Sequence, residues 1–296
     1  MKPGLPIFTL TGNLLAERTL MFEAWSAGRT QRATAESFQV GGKGMNVAKM
    51  LTRLAVPNIA LCFTGGTTGA ECEAWLGGRG VKYRAFATTQ PTRAGTVVRD
   101  RSGAQRETTF LGPDIAPDGA ALHVCAEFLD AQPAGGVLAL CGSFPGWTST
   151  DFDPLRAALA RWTQRGHLVA DTYGPPLSSL IGQPLALLKI NADELRTLPS
   201  PHHDRPPGAI RRWVITDGPR AVRWRDVDGT EGSLTPPPVE EISPTGSGDV
   251  LLACLIEALF VRGHTLPEAL AFAIPHAAAN AAHAGVADFP LPLRRA

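Results

Sequence analysis

The sequence predicts an α/β fold in which helices cover both faces of a mostly parallel sheet. Short apolar runs bounded by glycine, proline and asparagine recur along the chain, and helical patterns lie between them. Several of these runs are apolar at successive positions, which is typical of strands buried on both faces. Strands that alternate with helices favour parallel pairing, because each crossover returns the chain to the same end of the sheet.

The core elements follow one another in regular alternation. The predicted strands cover Ile7–Thr11, Ile59–Phe63, Gly136–Cys141, Leu168–Asp171, Ala186–Ile190 and Trp213–Thr216. The predicted helices cover Gly44–Leu54, Gly69–Gly77, Ala116–Leu129, Asp153–Gln164 and Gly248–Val261. All of these elements have the short lengths expected of one large α/β domain, so we expect a single domain over residues 1–296.

Two segments, 13–40 and 88–111, do not follow this alternation of strands and helices. They are richer in Thr, Arg, Gln and Gly, and they alternate polar with apolar residues, as in the stretch that begins at Gly95. Alternation of this kind predicts strands with one solvated face. We therefore expect antiparallel strands outside the main sheet, either as a flap over a site or as surface hairpins without a role.

Composition restricts the class of protein. The chain has 296 residues, and 28 Lys and Arg against 27 Asp and Glu give a net charge of +1, so no overall field attracts nucleic acid or an anionic membrane. Five cysteines without a CxxC pair indicate buried free thiols rather than disulfides or a metal site. The N-terminus does not resemble a signal peptide and no apolar run is long enough to span a membrane. We expect a cytoplasmic protein.

A glycine-rich turn at Ser243–Asp249 opens a strongly apolar helical run. Gly246 and Gly248 allow a tight turn that aims successive backbone N–H groups outward at a helix N-terminus, where anions and above all phosphate bind. Asp249 lies in the first helical turn and could accept the proton of a hydroxyl that attacks a phosphoryl group. The residues alone leave open the alternative that Asp249 only caps the helix.

A second glycine cluster, Gly41–Ala48, also opens a helix. It lacks the spacing of a P-loop. It also lacks the pattern of a dinucleotide-binding loop, because Val47 occupies the position of the third glycine. Lys43 and Asn46 on such a turn could bind a polyol or a phosphate. A helix entry without a ligand is equally compatible with this pattern.

The two glycine clusters, with Lys189–Leu195 between them, resemble the ribokinase-like PfkB family of carbohydrate kinases over nearly the whole chain. The form Gly-Gly-Lys-Gly-Met-Asn-Val-Ala and the opening Thr11–Glu17 are similar to the hexose-phosphate branch, which includes 1-phosphofructokinase and tagatose-6-phosphate kinase. The resemblance implies a three-layer α/β/α sandwich with a small β-lid formed by segments 13–40 and 88–111. It also implies an ATP-dependent kinase that uses Mg²⁺.

The resemblance assigns roles to individual residues. Asp249 would be the catalytic base, and the amides of Gly246, Ser247 and Gly248 would form an anion hole. Asn191 and Glu194 would hold Mg²⁺ through water. The nucleotide-binding site would be lined by Lys189, Thr216, Gly218 and Asn280. The sugar or its phosphate would be bound by Glu17, Arg32, Gly42, Lys43, Asn46, Arg93 and Ser143. The lids of this family often pair two subunits, so a homodimer through the lids is expected.

Departures from the family pattern concentrate on the acceptor side. Glu17 stands where the family has a shorter aspartate, and Gly95 replaces a residue that is usually asparagine. The crossover from Leu195 to Trp213 is short and broken by prolines. The first hypothesis is a 1-phosphofructokinase-like enzyme; the alternatives are a kinase for an unphosphorylated sugar or nucleoside, and a catalytically silent sugar- or nucleotide-binding protein.

Overall fold

A nine-stranded sheet forms the centre of the computed structural model, which describes residues 5–102, 107–199, 202 and 205–291. With strands numbered in chain order, the sheet reads β13 (Glu231–Leu234), β12 (Val222–Arg225), β11 (Trp213–Thr216), β10 (Leu187–Asn191), β9 (His167–Thr172), β8 (Val137–Gly142), β1 (Ile7–Thr11), β4 (Ile59–Thr64) and β5 (Tyr83–Ala87). Neighbours from β5 to β11 pair in parallel, whereas β12 and β13 form an antiparallel edge. The six predicted core strands are confirmed.

Helices cover the sheet on both sides. One face carries α1 (Lys43–Arg53), α2 (Gly66–Gly78), α7 (Ser247–Ile256) and α8 (Leu266–Ala281), and the other carries α3 (Gly119–Asp130), α4 (Asp153–Arg165), α5 (Pro175–Leu180) and α6 (Ala192–Arg196). Strand β8 shows how the two cores are divided, because Leu138 and Leu140 face one layer while Val137 and Ala139 face the other. The predicted three-layer sandwich is therefore confirmed.

The strands of segments 13–40 and 88–111 form a separate four-stranded sheet, which we call the lid. Its order is β3 (Ala35–Gly41), β2 (Leu15–Phe22), β6 (Arg93–Asp100) and β7 (Glu107–Leu111). The outer pairs are antiparallel as predicted, but β2 and β6 pair in parallel, so the expectation of purely antiparallel strands is wrong at the centre of the lid. Both strands leave the carboxyl ends of parallel core strands, β1 and β5, and hence run in the same direction.

Local capping explains where two helices begin. Helix α3 starts at Gly119 rather than at Ala116, because the side chain of Asp118 accepts a hydrogen bond from the backbone of Ala121 at 2.9 Å. Helix α6 is closed at its N-terminus by a reciprocal capping box between Asn191 and Glu194. The described part of the crossover from Arg196 to Trp213 contains no further helix or strand, which agrees with its short, proline-rich sequence.

The state of the cysteines agrees with the expectation of buried free thiols. All five cysteines are buried and free. Across the part of the chain that the structure describes, no helix is long and apolar enough to cross a membrane.

Candidate active site

A cleft of about 520 Å³ lies at the carboxyl edge of the main sheet, beneath the lid. The N-termini of α1 and α7 and the ends of β10 and β11 form its floor, and strands β2, β3, β6 and β7 form its roof. Open α/β sheets bind ligands at this edge, because loops and helix N-termini converge there. Eleven predicted site residues line the cleft: Glu17, Gly42, Lys43, Asn46, Arg93, Lys189, Asn191, Thr216, Gly246, Gly248 and Asp249.

Asp249 is the buried carboxylate at the floor of this cleft. It lies in the first turn of α7, is only 5% exposed, and its Oδ2 accepts a hydrogen bond of 2.8 Å from Nδ2 of Asn46. Burial and the negative charge of Asp171 raise the pKa of Asp249 to about 6, although Lys43, Lys189 and the Asn46 hydrogen bond act in the opposite direction. A carboxylate with such a pKa is ionised at neutral pH and is still basic enough to take a proton.

The turn before Asp249 is a tight, left-handed turn at the N-terminus of α7. Gly246 has a φ of +78°, and a Cβ at this position would lie 2.2 Å from Cγ1 of Val286. A Cβ at Gly248 would lie 2.5 Å from Nζ of Lys189, so the amide backbone there approaches a cation closely. Only glycine satisfies both the left-handed conformation and the lack of space at Gly246. The turn is therefore packed closely against Val286 and Lys189, which leaves no room for a side chain at Gly246.

Asn280 secures this turn from behind. It is fully buried on α8, and its Nδ2 donates to the carbonyl of Thr245 at 2.9 Å and to Oγ of Ser247 at 3.1 Å. Its Oδ1 accepts from the backbone of Ala287 at 2.9 Å. The structure thus places Asn280 against the glycine turn rather than on the cleft surface where a nucleotide would be lined.

Two lysines share one buried carboxylate beneath the turn. Oδ1 of Asp171 contacts Nζ of Lys43 at 2.9 Å and its Oδ2 contacts Nζ of Lys189 at 2.7 Å, while Lys43 also contacts Oε1 of Glu194 at 2.9 Å. Burial opposes the charge of Asp171, yet the two lysines lower its pKa below the ordinary value. Burial likewise opposes the charge of Lys43, but Asp171, Glu194 and Asp249 together raise its pKa. Lys43 consequently stays charged at the cleft floor.

Asp171 is a site residue that the sequence reasoning passed over. The sequence places it at the end of the predicted strand Leu168–Asp171, but no role was assigned to its carboxylate. It is the penultimate residue of β9, at the carboxyl edge of the sheet, and it is fully buried. An aspartate directly after the apolar run Leu168–Ala170, at the carboxyl end of a predicted strand, was the available signal.

Glu194 and Asn191 have both a structural and a ligand-binding capacity. Glu194 Oε2 accepts from the backbone of Asn191 and Asn191 Oδ1 accepts from the backbone of Glu194, each at 2.8 Å, which closes the capping box of α6. Nowhere in the described chain do three or more His, Cys, Asp or Glu residues cluster in a way that could hold a metal ion. Mg²⁺ typically keeps several waters and takes one or two carboxylates plus substrate phosphates. The small number of donors at Asn191 and Glu194 fits this coordination preference.

The acceptor side of the cleft is organised around lid residues. Nη1 of Arg93 contacts Oδ1 of Asp114 at 2.8 Å, and the same oxygen accepts from Nδ2 of Asn13 at 2.7 Å. Asn13 also donates to Oγ of Ser143 at 3.0 Å, so this predicted residue joins the group. Glu17 faces the cleft from β2 and accepts a short hydrogen bond from the amide of Gln39.

Two predicted residues lie apart from the cleft. Arg32 is exposed in the connection between β2 and β3, and Gly218 is exposed in the turn after β11, with a φ of +56°. Neither belongs to the residues that line the cleft, whereas Thr216 at the end of β11 does. Of the predicted acceptor residues, Ser143 contacts Asn13 but does not line the cleft, and the others except Arg32 line it together with Asp249.

The lid is tied directly to the glycine turn. Glu107 on β7 accepts hydrogen bonds from Oγ of Ser243 at 3.2 Å and Oγ1 of Thr245 at 3.1 Å. Arg99 on β6 pairs with Glu107 at 3.2 Å and donates a further short hydrogen bond to the carbonyl of Ala284. These contacts hold the lid against the glycine turn.

Comparison with known proteins gives one consistent result. The sequence pattern of a family described as pfkB family carbohydrate kinase matches residues 12–294. The chain is 24% identical to a 1-phosphofructokinase of Borreliella burgdorferi, covering 96% of this chain and 94% of that one. It is 31% identical to a 1-phosphofructokinase of Rhodobacter capsulatus, covering 86% and 84%. Its fold is similar to the tetrameric inhibited form of phosphofructokinase-2 from Escherichia coli, with a TM-score of 0.84, 22% identity and 94% of both chains covered.

Proposed function

The chain belongs to the pfkB family of carbohydrate kinases and is an ATP-dependent sugar kinase, and we propose that its acceptor is a hexose phosphate, with 1-phosphofructokinase activity as the first candidate. One observation carries the catalytic part of this proposal. A buried carboxylate, Asp249, lies at the start of a helix behind a glycine turn and beside a cleft closed by basic lid residues. A catalytically silent protein would have no need of that base.

Asp249 would act as general base. As the acceptor hydroxyl attacks the γ-phosphorus of ATP, its proton passes to Asp249, the new O–P bond forms, and the bond to the ADP oxygen breaks. Asn46 keeps the receiving carboxylate in place through its 2.8 Å hydrogen bond. The amides of Gly246, Ser247 and Gly248 and the cation of Lys189 would stabilise the negative charge of the transferring group. The closed lid would exclude water, which otherwise competes as acceptor.

Arginine at the lid supports a phosphorylated acceptor. Arg93 lines the cleft, and its Nε has no hydrogen-bond partner among the described residues. Guanidinium groups bind phosphate with several donors at once, so Arg93 retains capacity for such a group. Glu17, on the neighbouring strand, would accept from a sugar hydroxyl. Arg32, which is exposed in the lid connection, could reach the acceptor only if its loop moves.

Kinases of this family use ATP with a divalent metal, and we assign that metal to Mg²⁺. When bound with ATP, the ion would neutralise part of the negative charge on the phosphates. Glu194 and Asn191 would hold it through water, and Lys43 would limit the charge that Glu194 presents to it. Lys189 and Thr216 would line the nucleotide side of the cleft.

An ADP-release assay with Mg-ATP tests the acceptor. We expect turnover with fructose 1-phosphate, and weaker or no turnover with fructose 6-phosphate, tagatose 6-phosphate, ribose, fructose and nucleosides. Arg93 and Glu17 in the cleft support an acceptor with both a phosphate and a hydroxyl, and the relatives named 1-phosphofructokinase place fructose 1-phosphate first. Turnover on unphosphorylated compounds alone would establish the alternative kinase for a sugar or nucleoside, and binding without any turnover would establish a silent protein.

The lid is also the surface on which we propose that two copies pair. Phe110 and Leu111 on the edge strand β7 are each 54% exposed, which is unusual for large apolar side chains on a strand edge. The structural relative from Escherichia coli is described as tetrameric. Sedimentation velocity should show a dimer for the native chain and a monomer for Phe110→Glu. Val227→Glu, which changes a residue 50% exposed in the turn between β12 and β13, should leave the dimer intact; a monomeric native chain refutes the proposal.

A further inference from the structure

Lys49 lies between two amide side chains that face the cleft. It stands on the second turn of α1, and its Nζ is 3.4 Å from Oδ1 of Asn46 and 3.5 Å from Oε1 of Gln39. On a third side the ammonium group lies over the ring of Trp75, 5.1 Å from the ring centroid. Lys49 does not itself line the cleft. Its positive charge is thus placed behind the cleft wall, at the oxygen ends of both amides.

The nitrogen ends of the same two amides point at the two carboxylates of the cleft. Nδ2 of Asn46 donates to Oδ2 of Asp249 at 2.8 Å, and Nε2 of Gln39 donates a short hydrogen bond to Oε1 of Glu17. A carboxamide rotated by half a turn would present its oxygen to the carboxylate and be repelled. A cation at the oxygen end favours the orientation in which the NH₂ group reaches the carboxylate.

We propose that Lys49 is a positioning residue that fixes the orientation of Asn46 and Gln39. Through Asn46 it holds the base Asp249, and through Gln39 it holds the acceptor-facing Glu17. The catalytic part of this assignment rests on the proposed function, whereas the orientation of the two amides does not. One side chain on α1 thereby connects the catalytic floor with the lid, since Gln39 and Glu17 belong to lid strands.

The charges around Lys49 make this arrangement dependent on pH. Burial lowers the pKa of Lys49 to about 8, although the carboxylates of Glu17 and Asp249 stabilise its positive charge. Arg79 lowers the pKa further, and Asp288 raises it. Lys49 is therefore charged at pH 7 and loses its charge as the pH rises through about 8. We expect the acceptor side to lose its order over the same range.

Steady-state kinetics at pH 7 should separate positioning from mere stability. Lys49→Met keeps the unbranched chain without the charge, and we expect it to lower kcat/KM for the acceptor about 10- to 100-fold, because small misplacements of reacting groups are costly. The KM for ATP should change by less than about twofold, since the nucleotide side does not touch Lys49. Lys82→Met, a change at an exposed lysine before β5, is the matched control and should leave both constants unchanged.

Lys49→Arg keeps a positive charge that does not titrate near pH 8. It should restore most of the acceptor kcat/KM at pH 7 and remove the fall in activity above pH 8 that the native enzyme shows. If the methionine variant does not fold, this pH profile decides alone. An unchanged acceptor kcat/KM in folded Lys49→Met, or the same alkaline limb in native enzyme and Lys49→Arg, would overturn the proposal.

Nuclear magnetic resonance tests the orientation without any turnover. The side-chain NH₂ signals of Asn46 and Gln39, assigned by loss in Asn46→Asp and Gln39→Glu, should shift with a midpoint near pH 8 in the native chain. They should not shift over this range in Lys49→Arg. Signals that are insensitive to pH in both proteins would refute the role of Lys49, even if the kinase activity is confirmed. A shift seen in a protein without turnover would support that role and reject only the proposed function.

Discussion

Asp249→Asn is expected to lower kcat by about 10²- to 10⁴-fold, the range associated with loss of a general base. Asparagine has the same shape as aspartate, so it can keep a contact with Asn46, but its amide cannot take the proton of the acceptor hydroxyl. The Kd for ATP, measured by calorimetry, should stay within about twofold, because the loss concerns an interaction made in the transition state. Retention of the native rate would refute the general-base role.

The pH dependence of the native enzyme provides the control for this variant. The base works only when ionised, and burial together with the charge of Asp171 raises its pKa to about 6. The kcat/KM for the acceptor should therefore rise with pH through about 6 and be lost below it. The residual activity of Asp249→Asn should lack this limb. A native acid limb near the ordinary pKa of an aspartate would contradict the assignment of Asp249.

Gly246→Ala is expected to lower kcat by about 10²- to 10³-fold, the loss seen when one donor of an oxyanion hole is removed. The added Cβ would lie 2.2 Å from Cγ1 of Val286, and the alanine would have to adopt a φ of +78°. Strain of the left-handed conformation costs about 1–2 kcal/mol, but the contact with Val286 forces the backbone of the turn to shift as well. The amides of Ser247 and Gly248 would then no longer converge on one point.

Two further variants separate the clash from the strain. Gly229→Ala introduces a Cβ at a φ of +87° in the exposed turn between β12 and β13, with no atom within 4 Å. It should lower the free energy of unfolding by about 1–2 kcal/mol and leave kcat unchanged. Val286→Ala added to Gly246→Ala should recover part of the lost kcat. Equal kcat in Gly246→Ala and Gly229→Ala would show that the shape of the turn does not matter.

Some features of the site could be predicted from residues that determine the local backbone conformation. Gly246 and Gly248 predict a tight turn at a helix start, and an acidic residue next to them predicts a base at a phosphate site. In the structure Asp249 and Asn46 contact each other and both line the cleft, while the role of Asp249 as a base stays a prediction. The glycine turn is local in sequence and could be predicted from local residues, whereas the contact of Asp249 with Asn46 joins residues 203 positions apart.

Other features depended on residues that are distant in sequence. Asp171 joins Lys43 and Lys189 across 128 and 18 residues respectively, and no local pattern reveals which buried charges will meet. Asn280 was expected at the nucleotide but contacts the glycine turn, because α8 runs behind α7. Arg32 was expected at the acceptor but lies in an exposed connection, whose course depends on how far β2 and β3 extend.

By itself the sequence determined the alternation of strands and helices, the parallel core sheet and the glycine turn that precedes Asp249. These follow from backbone preferences and from hydrophobic patterning, which act over a few residues. Only the tertiary structure decided how the lid strands pair, how Glu107 ties the lid to the glycine turn and how Lys49 faces two amides at once. Lys49 meets Asn46 within its own helix, but its contacts with Gln39 and Trp75, like those of Glu107 with Ser243 and Thr245, form only after separate elements have packed.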